Sequence, residues 1–205
     1  MCSYLDEFSI CNTISDNIKQ NIILFHVFET DYESNVLYVT SDDLVYGLGY
    51  NYYGCLGLGH NHMVTSPQII PQLCHQRIQR FINGFSFVLA VTAENHIYIW
   101  GQNSWGQLGV TTPETDVYIK PQKLAFFDDK DILEISCGLN HCLILSSDGQ
   151  VYGWGRNSEG QVWGPLREAY CGPMKLDLYI VGVITRTIGW DVVITQYESH
   201  NSLKT

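Results

Sequence analysis

A segment rich in glycine and asparagine recurs three times along the chain and constrains its fold more than any other feature. Residues 45–57, 97–109 and 151–163 align without gaps. The first two carry the pattern G-x-N-x-x-G-x-L-G, and the third keeps its G-x-N-x-x-G part with Val162 at the leucine position. The first glycine of the pattern falls at Gly49, Gly101 and Gly155. The spacings are therefore 52 and 54 residues, and a period near 50 is typical of propeller blades, each of which is one small sheet.

The fixed positions of the repeat are interpreted as structural. Glycine permits a positive φ and a close backbone approach, and an asparagine amide can cap the backbone of a loop. These positions are Gly49, Asn51, Gly54 and Gly57 in the first repeat, Gly101, Asn103, Gly106 and Gly109 in the second, and Gly155, Asn157 and Gly160 in the third. A proline recurs in the same register, at Pro67, Pro121 and Pro173.

Hairpin signatures precede each glycine-rich segment and predict an all-β fold. An apolar run crosses a short turn at residues 42–43, 94–95 or 148–149 and meets the next strand. The sequence therefore predicts a partial, open β-propeller of about three to three and a half blades built from repeats of ~52 residues. The blade signatures lie near residues 36–59, 85–109 and 139–164. A stub at 187–196 contains the repeated glycine at Gly189, and a strand begins at Trp190.

The division of the chain follows from the extent of the repeat. Residues 31–205 are predicted to form the partial propeller, and residues 1–30 form an unassigned N-terminal segment in which residues 22–28 can supply a strand. Gly is frequent (18 residues), aromatics reach 13%, and charged residues are only 16%, a composition that favours strands and tight turns over solvated helices.

Charge, cysteine usage and hydropathy limit the function classes. The net charge of −10 offers no attraction to a phosphate backbone, so direct nucleic-acid binding is not expected. The seven cysteines contain no C-x-x-C pair and are interpreted as reduced thiols of a cytoplasmic or nuclear protein. The N-terminus lacks the pattern of a signal peptide, and no stretch approaches the roughly 20 apolar residues that span a bilayer, so membrane insertion is not expected.

Motifs that could carry chemistry are better explained by structure. The glycines of residues 47–59 lack the G-K-[ST] of a phosphate loop and recur with the repeat. His60 and His62 have no neighbouring ligand cluster, and His141 and Cys142 are adjacent on a strand, where they point to opposite faces. Acidic pairs at residues 42–43 and 128–129 fit turns. The sequence thus predicts no catalytic residue, metal or cofactor, and the protein is not expected to be an enzyme.

The repeat resembles that of the regulator of chromosome condensation family. Residues 101–109 match every fixed position of that family's G-x-N-x-x-G-Q-L-G signature, and the similarity covers roughly residues 35–195. In the third repeat the final glycine moves to Gly164, after Trp163. The family's histidine after the hairpin glycine is present only as His141, with Phe87 and Asn35 at the equivalent positions.

The resemblance implies a propeller shorter than those of the family, which usually have seven blades. A closed single-chain ring would need roughly 350 residues. The chain is therefore expected to be a fragment, a truncated paralogue, or an arc completed by another subunit, with terminal blades that expose apolar faces and permit self-association.

The aromatic residues of the repeat divide into core and loop positions. Trp100 and Trp154 occupy one equivalent strand position and are predicted to be core. The variable loop positions supply candidate partner contacts at Tyr52, Tyr53, Trp105, Arg156 and Glu159.

Three functions follow as hypotheses. The first is a protein-binding scaffold or adaptor, since the blades look most like propellers partnered with BTB/POZ domains. The second, implied by founding members of the family, is a regulator of a small GTPase that promotes nucleotide exchange, and the third is a remnant without independent function.

Overall fold

The computed structural model describes residues 8–30, 33–110, 116–162, 169–179, 184–186 and 192–194. Within these residues the chain forms three four-stranded antiparallel sheets and a two-stranded pair. Each large sheet is a meander in which consecutive strands are neighbours. The predicted all-β repeat architecture is therefore confirmed.

The strands follow the sequence repeat. The first sheet contains β1 (Ile22–Thr30), β2 (Glu33–Thr40), β3 (Val45–Gly49) and β4 (Val64–Ile69). The second contains β5 (Ile78–Asn83), β6 (Phe87–Thr92), β7 (Ile97–Gln102) and β8 (Val117–Lys123). The third contains β9 (Ile132–Cys137), β10 (His141–Ser146), β11 (Gln150–Arg156) and β12 (Ala169–Tyr179). Short helical turns are η1 (Ser9–Thr13), α1 (Asp16–Asn21), η2 (Tyr52–Gly54) and η3 (Ala125–Phe127).

The hairpin turns between the second and third strands use the chemistry that the sequence indicates. Asp43, Asn95 and Gly149 have φ values of 59°, 63° and 80° at the equivalent position. Asp, Asn and Gly are the residues that adopt this left-handed conformation at least cost. Each amide donates to the carbonyl three residues earlier, at 2.9–3.0 Å.

Central strands are covered on both faces. Every residue of β6 and β10 is buried, as are the last six residues of β2. Because alternate residues of a strand point to opposite faces, each sheet packs apolar side chains on both sides. Trp100 and Trp154 are fully buried, which confirms their prediction as core residues.

The outer strand of each sheet carries the repeated proline. Pro67 lies in β4, Pro121 in β8 and Pro173 in β12. The ladder register shifts at the same place in all three sheets, opposite residues 48, 100 and 154. Proline has no N–H to donate, so an edge strand with an irregular ladder is where it is tolerated.

Residues 8–30 of the N-terminal segment pack with or within the first sheet. The strand predicted within residues 22–28 is β1, which pairs with β2 over its length. Cys11 and Ile14, in and after η1, are buried in the same apolar cluster as Tyr38 and Leu48. Residues 8–14 therefore pack against the first sheet, whereas the expectation that terminal blades expose apolar faces stays a prediction.

The end of the chain is described only in part. β13 (Ile184–Arg186) pairs antiparallel with β14 (Val192–Ile194), which falls within the predicted stub. Gly189, Trp190, Trp163 and Gly164, which the sequence analysis singled out, lie outside the described residues. The chain divides into two compact units, residues 1–102 with 117–123, and residues 103–116 with 124–205.

Candidate partner-binding rim

The repeated glycine-rich segments form three loops, here called the tip loops, at residues 49–57, 101–109 and 155–162. Each begins with a glycine of positive φ that is the last or next-to-last residue of the third strand of its sheet. At Gly101, with φ of 110°, a Cβ would lie 2.6 Å from the Cα of Phe87 and 2.5 Å from the carbonyl oxygen of Ser86. The chain can turn here only without a side chain.

A buried asparagine holds each tip loop in shape. Its Oδ1 accepts a hydrogen bond from the backbone amide five residues later. The pairs are Asn51 with Leu56 (3.0 Å), Asn103 with Leu108 (3.0 Å) and Asn157 with Val162 (2.8 Å). The bond satisfies a buried amide in the loop, so the same backbone frame is built three times.

The first tip loop is anchored by the tryptophan of the second sheet. Trp100 Nε1 donates a 2.7 Å hydrogen bond to the carbonyl oxygen of Cys55. At Gly57 a Cβ would lie 3.1 Å from that indole nitrogen and 3.1 Å from the ring of Pro121. The loop glycine, the tryptophan and the outer-strand proline therefore form one packed contact.

The second tip loop repeats this arrangement with the third sheet. Trp154 Nε1 donates to the carbonyl oxygen of Gln107 at 2.8 Å. A Cβ at Gly109 would lie 3.1 Å from the indole nitrogen and 3.3 Å from the ring of Pro173. The same hydrogen bond from tryptophan to tip loop therefore occurs twice, once between residues 45 positions apart and once between residues 47 positions apart.

The first tip loop differs from the other two in backbone conformation. Gln107 and Gln161 each accept the amide two residues earlier through Oε1, at 2.8 and 2.9 Å. Cys55 replaces the glutamine in the first loop and has no such oxygen. There Asn51 and Tyr53 adopt left-handed conformations, both with φ of 57°. For a bulky residue such as tyrosine this conformation is strained.

The candidate contact residues lie on the solvent side of this frame. Tyr52 is 52% exposed, Glu159 is exposed, and Tyr53, Trp105 and Arg156 are half-buried. In the first unit the rings of Tyr52 and Tyr53 lie 6.4 Å apart.

In the second unit the structure brings Trp105 and Arg156 together. The Arg156 guanidinium lies 5.0 Å from the Trp105 ring centroid, and its Nε donates to Ser158 Oγ at 2.8 Å. A guanidinium over an indole face is a favourable cation–π contact, and it holds two variable side chains of adjacent loops in one patch.

Two further residues position the tip loops, a role that the sequence pattern did not assign to them. Asn35, at the position of the family's histidine, accepts the amide of Asn51 through Oδ1 at 2.8 Å and donates to Thr30 Oγ1 at 3.0 Å. Asn140 accepts from Gln107 Nε2 through Oδ1 at 3.3 Å and from the amide of Arg156 through its carbonyl at 2.8 Å. The constant sequence spacing between each hairpin and its tip loop was the signal that could have linked Asn35 and Asn140 to these loops.

A groove of about 350 Å³ lies between η1 and the first sheet. Ile10, Leu48 and Met63 supply apolar lining, and Tyr50 and Glu33 stand at its polar side. The negative charge of Glu33, together with its hydrogen bond to the hydroxyl, raises the pKa of Tyr50. The groove therefore combines an apolar floor with one carboxylate.

The histidine pair near the first tip loop is engaged by protein groups. His60 Nε2 lies 3.2 Å from Gln68 Oε1, and its Nδ1 accepts the amide of His62 at 3.3 Å. The two rings stack with centroids 5.7 Å apart. Across the described part of the chain, no three His, Cys, Asp or Glu residues are grouped so as to hold a metal ion.

His141 and Cys142 are both buried in β10 and face different partners. His141 is opposite Gly155, and Cys142 is opposite Trp154 and Cys137. Burial, and then the neighbouring Cys137, raises the pKa of the Cys142 thiol well above its usual value. This environment keeps the thiol protonated and is not that of an activated catalytic nucleophile. In the ranges that the structure covers, no helix is long and apolar enough to cross a membrane.

These sheets and tip loops define a repeat protein built from propeller blades. A family model described as "Regulator of chromosome condensation (RCC1) repeat" matches residues 42–91 and 94–145, and a second model with that description matches residues 132–161. The chain belongs to the regulator of chromosome condensation repeat family.

Known relatives share part of their length with this chain. It is 30% identical over 167 residues to the ultraviolet-B receptor UVR8 of Arabidopsis thaliana, covering 80% of this chain and 37% of that protein. It is 32% identical over 140 residues to the X-linked retinitis pigmentosa GTPase regulator of Mus musculus, covering 67% of this chain and 14% of that protein. The chain thus spans well under half of these relatives.

A solved structure supports the fold. The structure of Prp20p from Saccharomyces cerevisiae matches with a TM-score of 0.63 and 24% identity, covering 78% of this chain and 40% of that one. This likeness supports the propeller-blade fold, whereas the predicted likeness to propellers partnered with BTB/POZ domains stays a prediction.

Proposed function

We propose that this chain is a non-enzymatic protein-binding module that contacts partners through exposed and half-buried side chains of its tip loops. These side chains, here called the rim residues, are Tyr52, Tyr53, Trp105, Arg156 and Glu159. The supporting observation is the combination of one repeated hydrogen-bonded frame with different side chains at its exposed positions. The asparagine bonds and the tryptophan bonds recur, whereas the position two residues after the asparagine varies and is half-buried Tyr53, half-buried Trp105 or exposed Glu159. A fixed frame with variable exposed residues is the usual design of a recognition surface.

The residue types at the rim suit a protein partner. Tyrosine, tryptophan and arginine dominate the binding energy of protein interfaces, because they bury large areas and retain polar groups that can be satisfied. The loops are already ordered by internal hydrogen bonds, so binding costs less conformational entropy. The net charge of −10 supports a protein partner over nucleic acid, and a cytoplasmic or nuclear location belongs to the same proposal.

The test is affinity capture with matched variants. The immobilised 205-residue chain is compared with Trp105→Ala and Tyr52→Ala, and with the control Leu133→Ala, whose side chain is 61% exposed in β9 away from the tip loops. A partner that binds the rim is retained by the wild type and the control and lost from at least one rim variant. Equal retention by all four proteins would place the contact elsewhere.

A second candidate function is regulation of a small GTPase. The observation that favours it is the similarity to a protein named a GTPase regulator, although this chain covers only 14% of that protein. Exchange of this kind needs binding to the client but no proton-transfer residue. The test is release of a fluorescent GDP analogue from a panel of small GTPases with and without the chain. Acceleration that Trp105→Ala abolishes would support this function, whereas unchanged release leaves binding alone.

A further inference from the structure

A pair of cysteines faces each other across the hairpin of the third sheet. Cys137 is the last residue of β9 and is directly opposite Cys142 in β10. Their Sγ atoms are 2.7 Å apart. Cys142 is fully buried, and Cys137 keeps 7% of its surface exposed.

The register of the hairpin brings the two backbones as close as an antiparallel ladder allows. The amide of Gly138 donates to the carbonyl oxygen of His141 at 2.9 Å, so these two residues form the hydrogen-bonded pair at the turn. Hydrogen-bonded and non-hydrogen-bonded pairs alternate, which makes Cys137 and Cys142 a non-hydrogen-bonded pair with Cα atoms about 4.5 Å apart. That separation lies within the range of about 4.4–6.8 Å that disulfides bridge.

The other two sheets do not have a cysteine pair at the equivalent positions. The equivalent cross-strand pair in the second sheet is Asn83 with Val88. In the first sheet Val36 is opposite Val27. The fold accommodates ordinary side chains at these positions, so the two thiols of the third sheet are a specific feature of this blade.

We propose that Cys137 and Cys142 form a reversible disulfide, with hydrogen peroxide as the oxidant. A small uncharged oxidant suits a site of such low exposure. The Cys137 thiolate attacks one peroxide oxygen, the O–O bond breaks, and the departing hydroxide takes up a proton as water, which leaves a sulfenic acid on Cys137. The Cys142 sulfur then attacks the Cys137 sulfur, and the S–O bond breaks with loss of a second water.

The overall reaction conserves atoms and electrons. Two thiols and one peroxide give one disulfide and two waters, so each sulfur loses one electron and the two peroxide oxygens gain them. A small-molecule dithiol such as dithiothreitol reverses the reaction by thiol–disulfide exchange. Burial raises the pKa of the Cys142 thiol, so the closing step depends on the 2.7 Å separation of the two sulfurs rather than on a free thiolate.

The disulfide would restrict the turn between Cys137 and Cys142, which positions Trp105 and Arg156. Asn140, within the bridged segment, accepts the amide of Arg156 and the side chain of Gln107, whose Oε1 in turn accepts the amide of Trp105. Bridging the segment therefore restricts the opening of a hairpin that supports the Trp105–Arg156 patch. This inference does not rest on the proposed function, because the bridge can be detected without any partner.

The experiment uses the full chain carrying Cys171→Ser, since Cys171 is exposed and would compete by linking chains together. The protein is treated with peroxide, denatured in N-ethylmaleimide and digested with trypsin without reduction. Residues 131–156 lie between Lys130 and Arg156 and contain both cysteines without an internal cleavage site. The expected product is this peptide lighter by two hydrogen atoms and unlabelled, and dithiothreitol restores two labelled thiols.

The control is Cys142→Val, which places in the third sheet the side chain that the second sheet carries at Val88. It should lose the lighter product and accumulate oxygen on Cys137 instead. Amide exchange at Trp105 should slow in the bridged wild type and stay unchanged in the control. A wild-type peptide that carries two maleimides, or only a sulfinic acid on Cys137, after peroxide treatment would overturn the proposal.

Discussion

Trp100 Nε1 donates a 2.7 Å hydrogen bond to the backbone carbonyl of Cys55, 45 residues earlier in the chain. Trp154 makes the same bond to Gln107 at 2.8 Å. Both indoles are fully buried, so neither the donor nor the acceptor has water as an alternative partner. The repeat therefore stabilises itself through bonds between a tip loop and the next strand bearing the equivalent tryptophan.

Replacing Trp100 with Phe removes the donor while keeping most of the apolar volume. The buried carbonyl of Cys55 then loses its partner, and we expect the free energy of unfolding to fall by about 1–3 kcal/mol. Urea denaturation followed by circular dichroism measures the change. The matched control is Trp105→Phe in the partly exposed rim, which should change stability by less than about 0.5 kcal/mol. Equal effects of the two substitutions would contradict the role of the buried bond.

Asn103→Ala tests the asparagine that holds the second tip loop. The amide of Leu108 loses its 3.0 Å acceptor in a buried site, which should cost about 1–3 kcal/mol. Hydrogen exchange should accelerate at Leu108 while the strands of the second sheet remain protected. Asn61→Ala, at an exposed position, serves as the control and should leave both quantities unchanged. Unaltered exchange at Leu108 in the Asn103 variant would show that the loop does not depend on this bond.

Gly101→Ala should be more destabilising than Gly59→Ala. Both glycines have positive φ, 110° and 87°. At Gly101 the new methyl group would meet the backbone of Ser86 and Phe87, whereas at Gly59 it would meet the flexible Lys120 side chain. We expect the difference in unfolding free energy to reach at least about 1–2 kcal/mol. Thermal or urea unfolding of the two variants gives it directly, and a larger loss at Gly59 would argue against the described backbone contact.

Stability should fall in alkaline solution, because buried groups resist ionisation. Burial raises the pKa of the Cys55 thiol to about 12, and it also raises that of the Tyr38 hydroxyl. A group whose folded pKa exceeds its unfolded pKa contributes stability below the unfolded value and loses it as pH rises toward the folded value. For Cys55 this window runs from its ordinary pKa of 9.0 to about 12.

The measurement is the unfolding free energy between pH 7 and roughly pH 11, in which one such group contributes a slope of at most about 1.4 kcal/mol per pH unit. Cys55→Ala should reduce the slope above pH 9, while Cys171→Ala, at an exposed cysteine, should not. An identical slope in the wild type and the Cys55 variant would show that this thiol is not the source.

Features of the fold that depend on local pattern could be predicted from the sequence. The hairpin turns at Asp43 and Asn95 and the burial of Trp100 follow from turn chemistry and from the repeat register. The β1 strand was also visible as an apolar run. These features need only residues near in sequence, or the comparison of one repeat with another.

Features that depend on distant contacts could not be predicted in the same way. The cover that Cys11 provides for the first sheet involves a segment without repeat signature. The left-handed conformation of Tyr53 follows from a missing side-chain acceptor, and the signal was present as Cys55 in place of glutamine. The facing thiols of Cys137 and Cys142 depend on the pairing of β9 with β10 and were not predicted, because the sequence pattern indicated only reduced thiols.

The measurement that tests the central claim most directly is photo-crosslinking from the rim. A benzophenone amino acid is placed at Trp105 in one version of the chain and at Leu133, the exposed control position in β9, in another. If the tip loops form the contact surface, illumination in cell extract yields a discrete cross-linked partner from position 105 and not from position 133. The same products from both positions, or a discrete product from position 133 alone, would contradict the account.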